Sequence, residues 1–191
     1  MICLLLALFF GTSVLGHELS GKTLTYLFTR PLPRWKFVVG KYLGIISALI
    51  LPASLSLLAS WLILGAEGGL NAAAGLLVAT TGALLAYTAI FILAGFLIPR
   101  RAMIIAILYA VVFELILSFM PALVNRLTVT YYLRSLVAEM LEIPIPHEVA
   151  RIIGGASPQA SLIALLAITL FALAISSLLA AHKEYVIHDQ A

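Results

Sequence analysis

The sequence contains very little charge. Only 10% of its 191 residues are Asp, Glu, Lys or Arg, whereas 63% are hydrophobic; a soluble domain carries roughly 25% charged residues. A soluble fold of this size cannot hide so much apolar surface, so lipid must cover it. A basic face with interleaved aromatics is also lacking, which argues against nucleic-acid binding. The composition therefore indicates an integral membrane protein.

Cysteine and aspartate are almost absent. Cys3 is the single cysteine, so an internal disulfide is excluded and a thiolate metal site has no second ligand. Asp189, the single aspartate, lies in the tail. Without a Gly-x-Ser-x-Gly motif, a close Asp pair or a Cys/His pair, the chain has no machinery for intramembrane catalysis. We predict no catalytic residue, no metal site and no bound cofactor.

Five apolar runs are separated by polar segments, which predicts an all-α, polytopic membrane protein with five transmembrane helices in one domain, 1–191. The first run rises only about 21 Å, short of the roughly 30 Å hydrocarbon core. We expect a membrane helix whose beginning is missing or very short; a signal peptide is the alternative, although a basic n-region is absent. Pro52 should kink the second run without ending it. The predicted spans are 2–15, 42–64, 72–97, 102–123 and 159–181.

Lys and Arg are distributed unevenly around these spans, and the side with more of them faces the cytoplasm. This places segment 16–41 inside, segment 124–158 outside, the N-terminus outside and the C-terminus in the cytoplasm of a plasma-membrane protein. The eight inner residues are Lys22, Arg30, Arg34, Lys36, Lys41, Arg100, Arg101 and Lys183, against Arg126, Arg134 and Arg151 outside.

Two polar segments contain amphipathic patterns. In 16–41, Leu24 and Leu27 recur at helical spacing, Pro31 closes that helix, and Pro33 can open a second short one. We predict a hairpin at the cytoplasmic membrane surface. In 124–158 we predict one or two short external helices against the membrane surface, with apolar spacing at Leu133, Leu136, Val137, Met140 and Leu141.

Two enzyme-like motifs are interpreted as coincidences. Residues 16–23 match the phosphate-binding pattern G-x-x-x-x-G-K-[ST], but such a loop joins a strand to a helix and needs an acidic partner for Mg²⁺. His147 to Arg151 departs from the zinc motif H-E-x-x-H, because Arg151 replaces the second ligand. The chain itself is therefore not predicted to hydrolyse ATP.

Glu114 is an ionisable residue inside the fourth predicted span, where a charge is costly. It follows Ala102 by twelve residues, which places it about 18 Å into the span. Two interpretations stay open. Either its carboxyl group is hydrogen-bonded to a neighbouring helix, or it lines a substrate path or gate.

The segment 16–41 resembles the first cytoplasmic loop of ABC transporter permeases of the ABC-2 type. That loop carries a Glu, a Gly-Thr or similar pair, Tyr-Leu or Leu-Leu, an Arg-Pro-x-x-Arg run and a Lys entering the next span. The later TYYLRSL, residues 130–136, is also similar to some members. Family members usually have six spans, and Lys22 stands where Gly is common. The matching residues are Glu18, Thr23, Tyr26, Leu27, Arg30, Pro31, Arg34 and Lys41.

This resemblance implies a permease subunit, of exporter type, that pairs with a second permease copy and with separate ATPase subunits that bind ATP and Mg²⁺. The loop would be a coupling helix with apolar anchors in an ATPase groove and charge-assisted contacts at its rim. The alternative is a membrane-embedded scaffold or assembly protein whose loop is held only by lipid headgroups. The implied docking residues are Glu18, Thr23, Leu24, Tyr26, Leu27, Arg30, Pro31 and Arg34.

The predicted orientation can be tested with cysteines introduced into a Cys3→Ser background. An impermeant thiol reagent applied to intact cells should label a cysteine placed at Glu139 and spare one placed at Gln190, because only the first lies outside. Labelling after permeabilisation controls for reactivity. The reverse pattern would refute the orientation.

Overall fold

The computed structural model describes residues 2–20, 34–63, 69–117, 125–126, 128–140 and 156–182. Every regular element in these ranges is helical, which confirms the predicted fold class for them. In chain order the elements are α1 (Ile2–Ser20), α2 (Arg34–Ile63), α3 (Gly69–Leu97), a 3₁₀ turn (Pro99–Arg101), α4 (Ala102–Tyr109) with a π-helical continuation (Ala110–Ile116), α5 (Val129–Met140) and α6 (Pro158–His182).

Three of these helices are long and apolar enough to cross a membrane. They are α2, α3 and α6, with apolar lengths of 29, 29 and 24 residues, and a span needs about 20. They match the second, third and fifth predicted spans. Two shorter apolar helices, Ile2–Ser13 and Ala102–Ile116, fall in the first and fourth predicted spans. The protein is therefore membrane-embedded, and the count of five spans stays a prediction.

The ends of two helices differ from the predicted ones. Helix α1 continues to Ser20, into the predicted loop 16–41. Helix α2 begins at Arg34, so the second short helix expected after Pro33 is instead the first turns of α2. The helix continues through Pro52, as expected. The predicted coupling helix falls mostly in residues 21–33, outside the described residues.

Helix α3 is central to the bundle. It contacts α1, α2, α4, α5 and α6, and 50% of its most apolar stretch is buried, against 11% for α2. Its small residues permit this close approach. A Cβ atom on Gly75 would lie 2.7 Å from the Cβ atom of Met140 on α5, and one on Gly11 of α1 would lie 2.8 Å from that of Phe91 on α3.

The buried apolar side chains form two clusters that both include α3. One joins α2, α3 and α6 and contains Val38 and Leu84. The other joins α3 to α1, α4, α5 and α6 and contains Leu8 and Phe91. The outer faces of the long helices also carry large apolar side chains, which suits contact with lipid rather than water. Examples are Leu51, Leu55, Leu62, Ile163, Leu170 and Phe171.

Helix α5 runs antiparallel to α3. Near its start, the Thr130 hydroxyl lies 3.1 Å from the Tyr87 hydroxyl, and near its end Met140 packs on Gly75. The two stretches between these contacts rise about 15 and 18 Å. The sequence analysis placed this amphipathic helix against the membrane surface. It packs instead into the bundle, between α3 and α6, with Leu136 fully buried.

We expect Gly75→Ala to destabilise the protein, because the added methyl group must push α5 away from α3. Overpacking of this kind typically costs about 1–3 kcal/mol. The measurement is the temperature at which the detergent-solubilised protein loses its monodisperse size-exclusion peak. Gly44→Ala is the matched control, since no atom lies within 4 Å of a Cβ added there. Equal behaviour of the two variants would contradict the close α3–α5 contact.

Candidate functional site

Helices α4 and α5 follow one another along α3 in the same direction. The ring centroids of Tyr109 on α4 and Phe91 on α3 lie 6.1 Å apart, and Glu114, further along, lies 2.9 Å from the Tyr87 hydroxyl. Between Tyr87 and Gly75, α3 is contacted by α5 in place of α4. Two short helices, called half-helices below, therefore lie one after the other along α3: α4 with its π-helical continuation, and α5. The part of the fourth predicted span at 118–123 lies outside the described residues.

Glu114 lies at the junction of these half-helices. It belongs to the π-helical segment Ala110–Ile116, and its side chain is only 4% exposed. The flanking residues Phe113 and Leu115 are exposed, so this turn directs its carboxylate, and not its apolar neighbours, into the bundle. π-helical turns within α-helices occur frequently at functional sites.

Both carboxylate oxygens of Glu114 accept hydrogen bonds, and the donors lie on α3, on α5 and on Tyr109 of its own helix. Oε1 accepts the Val129 N–H at 3.1 Å and the Tyr109 hydroxyl at 3.1 Å. Oε2 accepts the Thr130 N–H at 3.0 Å and the Tyr87 hydroxyl at 2.9 Å. The Thr130 hydroxyl also donates to Oε2. The two backbone groups can only donate, so the arrangement suits a carboxylate acting as acceptor.

These contacts cap the N-terminus of α5. The first amides of a helix have no acceptor within the helix, and here Val129 and Thr130 bond to Glu114. The third amide, of Tyr131, donates to the Thr128 hydroxyl at 3.2 Å, which is an ordinary N-cap. That hydroxyl in turn donates to the Asn125 carbonyl at 2.8 Å. The negative carboxylate also interacts favourably with the positive end of the α5 dipole.

An aromatic wall holds the two tyrosines in position. Tyr109 stacks on Phe113 at 5.2 Å on the α4 side, and Tyr87 stacks on Phe91 at 6.2 Å on α3. An edge-to-face contact between Phe91 and Tyr109 joins the two pairs. Such contacts contribute about 0.5–1.5 kcal/mol each beyond area burial. These ring contacts therefore fix the positions of the Tyr87 and Tyr109 hydroxyl groups next to Glu114.

The arrangement is suited to holding helices together. Burying a carboxylate is costly unless donors surround it, and here they come from α3, α4 and α5. Within the described ranges, no three His, Cys, Asp or Glu side chains come together as a metal site would require. The first interpretation of Glu114, a carboxyl group bonded to neighbouring helices, is what the structure contains. Its role in a substrate path or gate stays a prediction.

Two of the predicted docking residues lie in the described part of the chain. Glu18 belongs to α1 and Arg34 opens α2. Residues 16–20 of the phosphate-loop match are likewise part of α1. The zinc-like segment 147–151 and the other docking residues lie outside the described ranges: Thr23, Leu24, Tyr26, Leu27, Arg30 and Pro31.

Sequence reasoning found Glu114 but missed the groups that surround it. Tyr87 and Tyr109 sit inside apolar runs, where a hydroxyl group needs a partner. Thr128 precedes an amphipathic run, which is an N-cap signal. These signals indicate that partners are needed, but they do not pair the residues with Glu114.

The fold and the site define an all-helical, membrane-embedded protein with a buried carboxylate between two half-helices. In comparisons with known proteins, no family model, no curated protein and no solved structure matches this chain.

We expect Glu114→Gln to destabilise the protein, because the amide group turns a donor towards at least one of the surrounding donors. A buried group left unsatisfied costs about 1–3 kcal/mol. The loss of stability is measured as a lower temperature at which the detergent-solubilised protein loses its monodisperse size-exclusion peak. Glu139→Gln, at an exposed position of α5, removes the same charge and should change little. A Glu114→Gln protein as stable as the parent would contradict the capping role.

Proposed function

We propose that this chain is the membrane-spanning permease subunit of an ATP-binding cassette transporter, driven by separate ATPase subunits. The observation that carries the proposal is the resemblance of residues 18–41 to the cytoplasmic loop of ABC-2 type permeases. The helices on either side of this segment, α1 and α2, both belong to the membrane-embedded bundle. A docking loop of a permease requires this placement.

The packing of α1 and α2 supports a mechanical role for the segment between them. Helices α1 and α2 contact each other and α3; α1 also contacts α4 and the turn Pro99–Arg101, and α2 also contacts α6. A force applied between Ser20 and Arg34 would therefore reach both buried clusters. Closure of the ATPase subunits on ATP would move these helices as rigid rods and change access to a central path.

The junction between α4 and α5 supports transport over a static scaffold. Non-helical backbone at membrane depth is tolerated where protein or a water-filled cavity surrounds it. In many transporters, discontinuous helices of this kind lie at the substrate site. Here the junction carries a buried acid, and such residues commonly mark transport paths. On this proposal, a second permease copy completes the path, and the basic loop faces the cytoplasm.

The docking role predicts that the double change Leu24→Asp, Leu27→Asp abolishes co-purification with the ATPase. Both apolar anchors are replaced by charges that an apolar groove rejects. The experiment co-expresses this chain with an ATPase that has complete Walker motifs, and a gene adjoining this one is the place to look for it.

The matched control is Val149→Asp, Ile152→Asp in the predicted external segment, which should leave ATPase binding unchanged. An ATPase that binds both variants equally well would argue against docking through this loop. A chain that binds no ATPase at all would favour the scaffold instead.

A further inference from the structure

We propose that α5 is a movable gate in the outer half of the bundle. Glu114 is the latch that holds the N-terminal end of α5, called its inner end below, in the closed position. The gating role rests on the proposed function, because it needs a transported substrate and the predicted orientation. The latch itself does not, and it can be tested on the isolated chain.

Helix α5 depends on its neighbours for its position. It has only 12 residues, and helices of this length are marginal on their own. Its inner end is held by Glu114 and Tyr87, and its outer end by the contact of Met140 with Gly75. The polar contacts are concentrated at the inner end. Withdrawal of one carboxylate removes the bonds of Val129 and Thr130 to Glu114, and that end is then held by the Thr130–Tyr87 hydroxyl contact and by apolar packing.

The local cap of α5 lets the helix move as a unit. Thr128 caps the Tyr131 amide and bonds to Asn125, and all three residues belong to α5 or directly precede it. This cap therefore moves with α5 when Glu114 withdraws. The amides of Val129 and Thr130 and the Thr130 hydroxyl then lose Glu114 as their acceptor, and water entering an opened path would replace it.

A continuous line of contacts leads from the predicted docking segment to the latch. Helix α1 reaches the turn Pro99–Arg101, and this turn leads directly into α4. The π-helical end of α4 carries Glu114. A shift of α1 that displaces the turn would therefore pull the carboxylate away from α5. Bistable contacts of this kind can convert small shifts into opening.

The latch can be tested by the accessibility of Ser135, which is 3% exposed and lies on the buried face of α5. The variant Ser135→Cys, in a Cys3→Ser background, is purified in lipid nanodiscs and treated with an impermeant maleimide. Labelling should be slow with Glu114 present and about tenfold faster with Glu114→Gln, because one lost buried hydrogen bond shifts local opening by roughly that factor. Thr130→Val should act in the same direction but more weakly.

Two controls separate release of α5 from general unfolding. Ser176→Cys on α6 is fully buried and has the same hydroxyl bond to the preceding turn, so it should stay unlabelled in every background. Glu139→Gln should not accelerate labelling of Ser135→Cys. The latch is refuted if Glu114→Gln and Thr130→Val leave the labelling of Ser135→Cys unchanged, or if Ser176→Cys becomes labelled in parallel.

The gate is then tested in the complex with the ATPase. ATP with vanadate should accelerate labelling of Ser135→Cys to the level seen with Glu114→Gln. If ATP does not change the labelling rate of Ser135→Cys in an assembled complex, the gate is refuted and the permease assignment stands. Failure to assemble any complex would overturn the permease assignment and leave the nanodisc result valid.

Discussion

The hydrogen bonds between the Glu114 carboxylate and the first amides of α5 solve two problems at once. A helix that starts inside a membrane-embedded bundle exposes backbone N–H groups that lipid cannot satisfy. A carboxylate buried on the neighbouring half-helix needs donors for the same reason. Val129 and Thr130 supply those donors, and Glu114 supplies the acceptor. Neither group could be buried here without the other, so the junction of the half-helices is fixed at this point.

The rest of the packing follows from that junction. Once the inner end of α5 is held at Tyr87, its rise carries Met140 to the level of Gly75. Only a residue without a side chain leaves room for Met140 at that distance. The close contacts of α3 thus depend on a glycine at each level: Gly11 of α1 against Phe91, Gly82 of α3 against Leu165 of α6, and Gly75 of α3 against Met140 of α5. This explains why α3, and neither α2 nor α6, occupies the centre of the bundle.

The three long spans were predictable because length and hydropathy are local properties of the chain. The bonds of Glu114 to α3 and α5 were not, since they join residues 15 to 27 positions apart in the chain. The amphipathic pattern of α5 predicted the helix correctly but its location wrongly. A helix face that suits lipid headgroups also suits a neighbouring helix, so the pattern does not distinguish the two. Ser135 and Ala138 are buried alongside Leu136, which shows that the buried face is set by close helix contact and not by apolar side chains alone.

Stability alone does not account for a carboxylate at this junction. Replacing buried charged groups by well-packed apolar residues is often neutral or stabilising, and a continuous helix would leave no amides to cap. On the latch proposal, a helix start held by one ionisable side chain costs stability but can open without disrupting the neighbouring helices. Thr128 keeps α5 capped locally, while the aromatic wall keeps Tyr87 and Tyr109 in place to receive the carboxylate again. On the latch proposal, the contacts that open and close are those of one residue, and helices and stacked rings surround it.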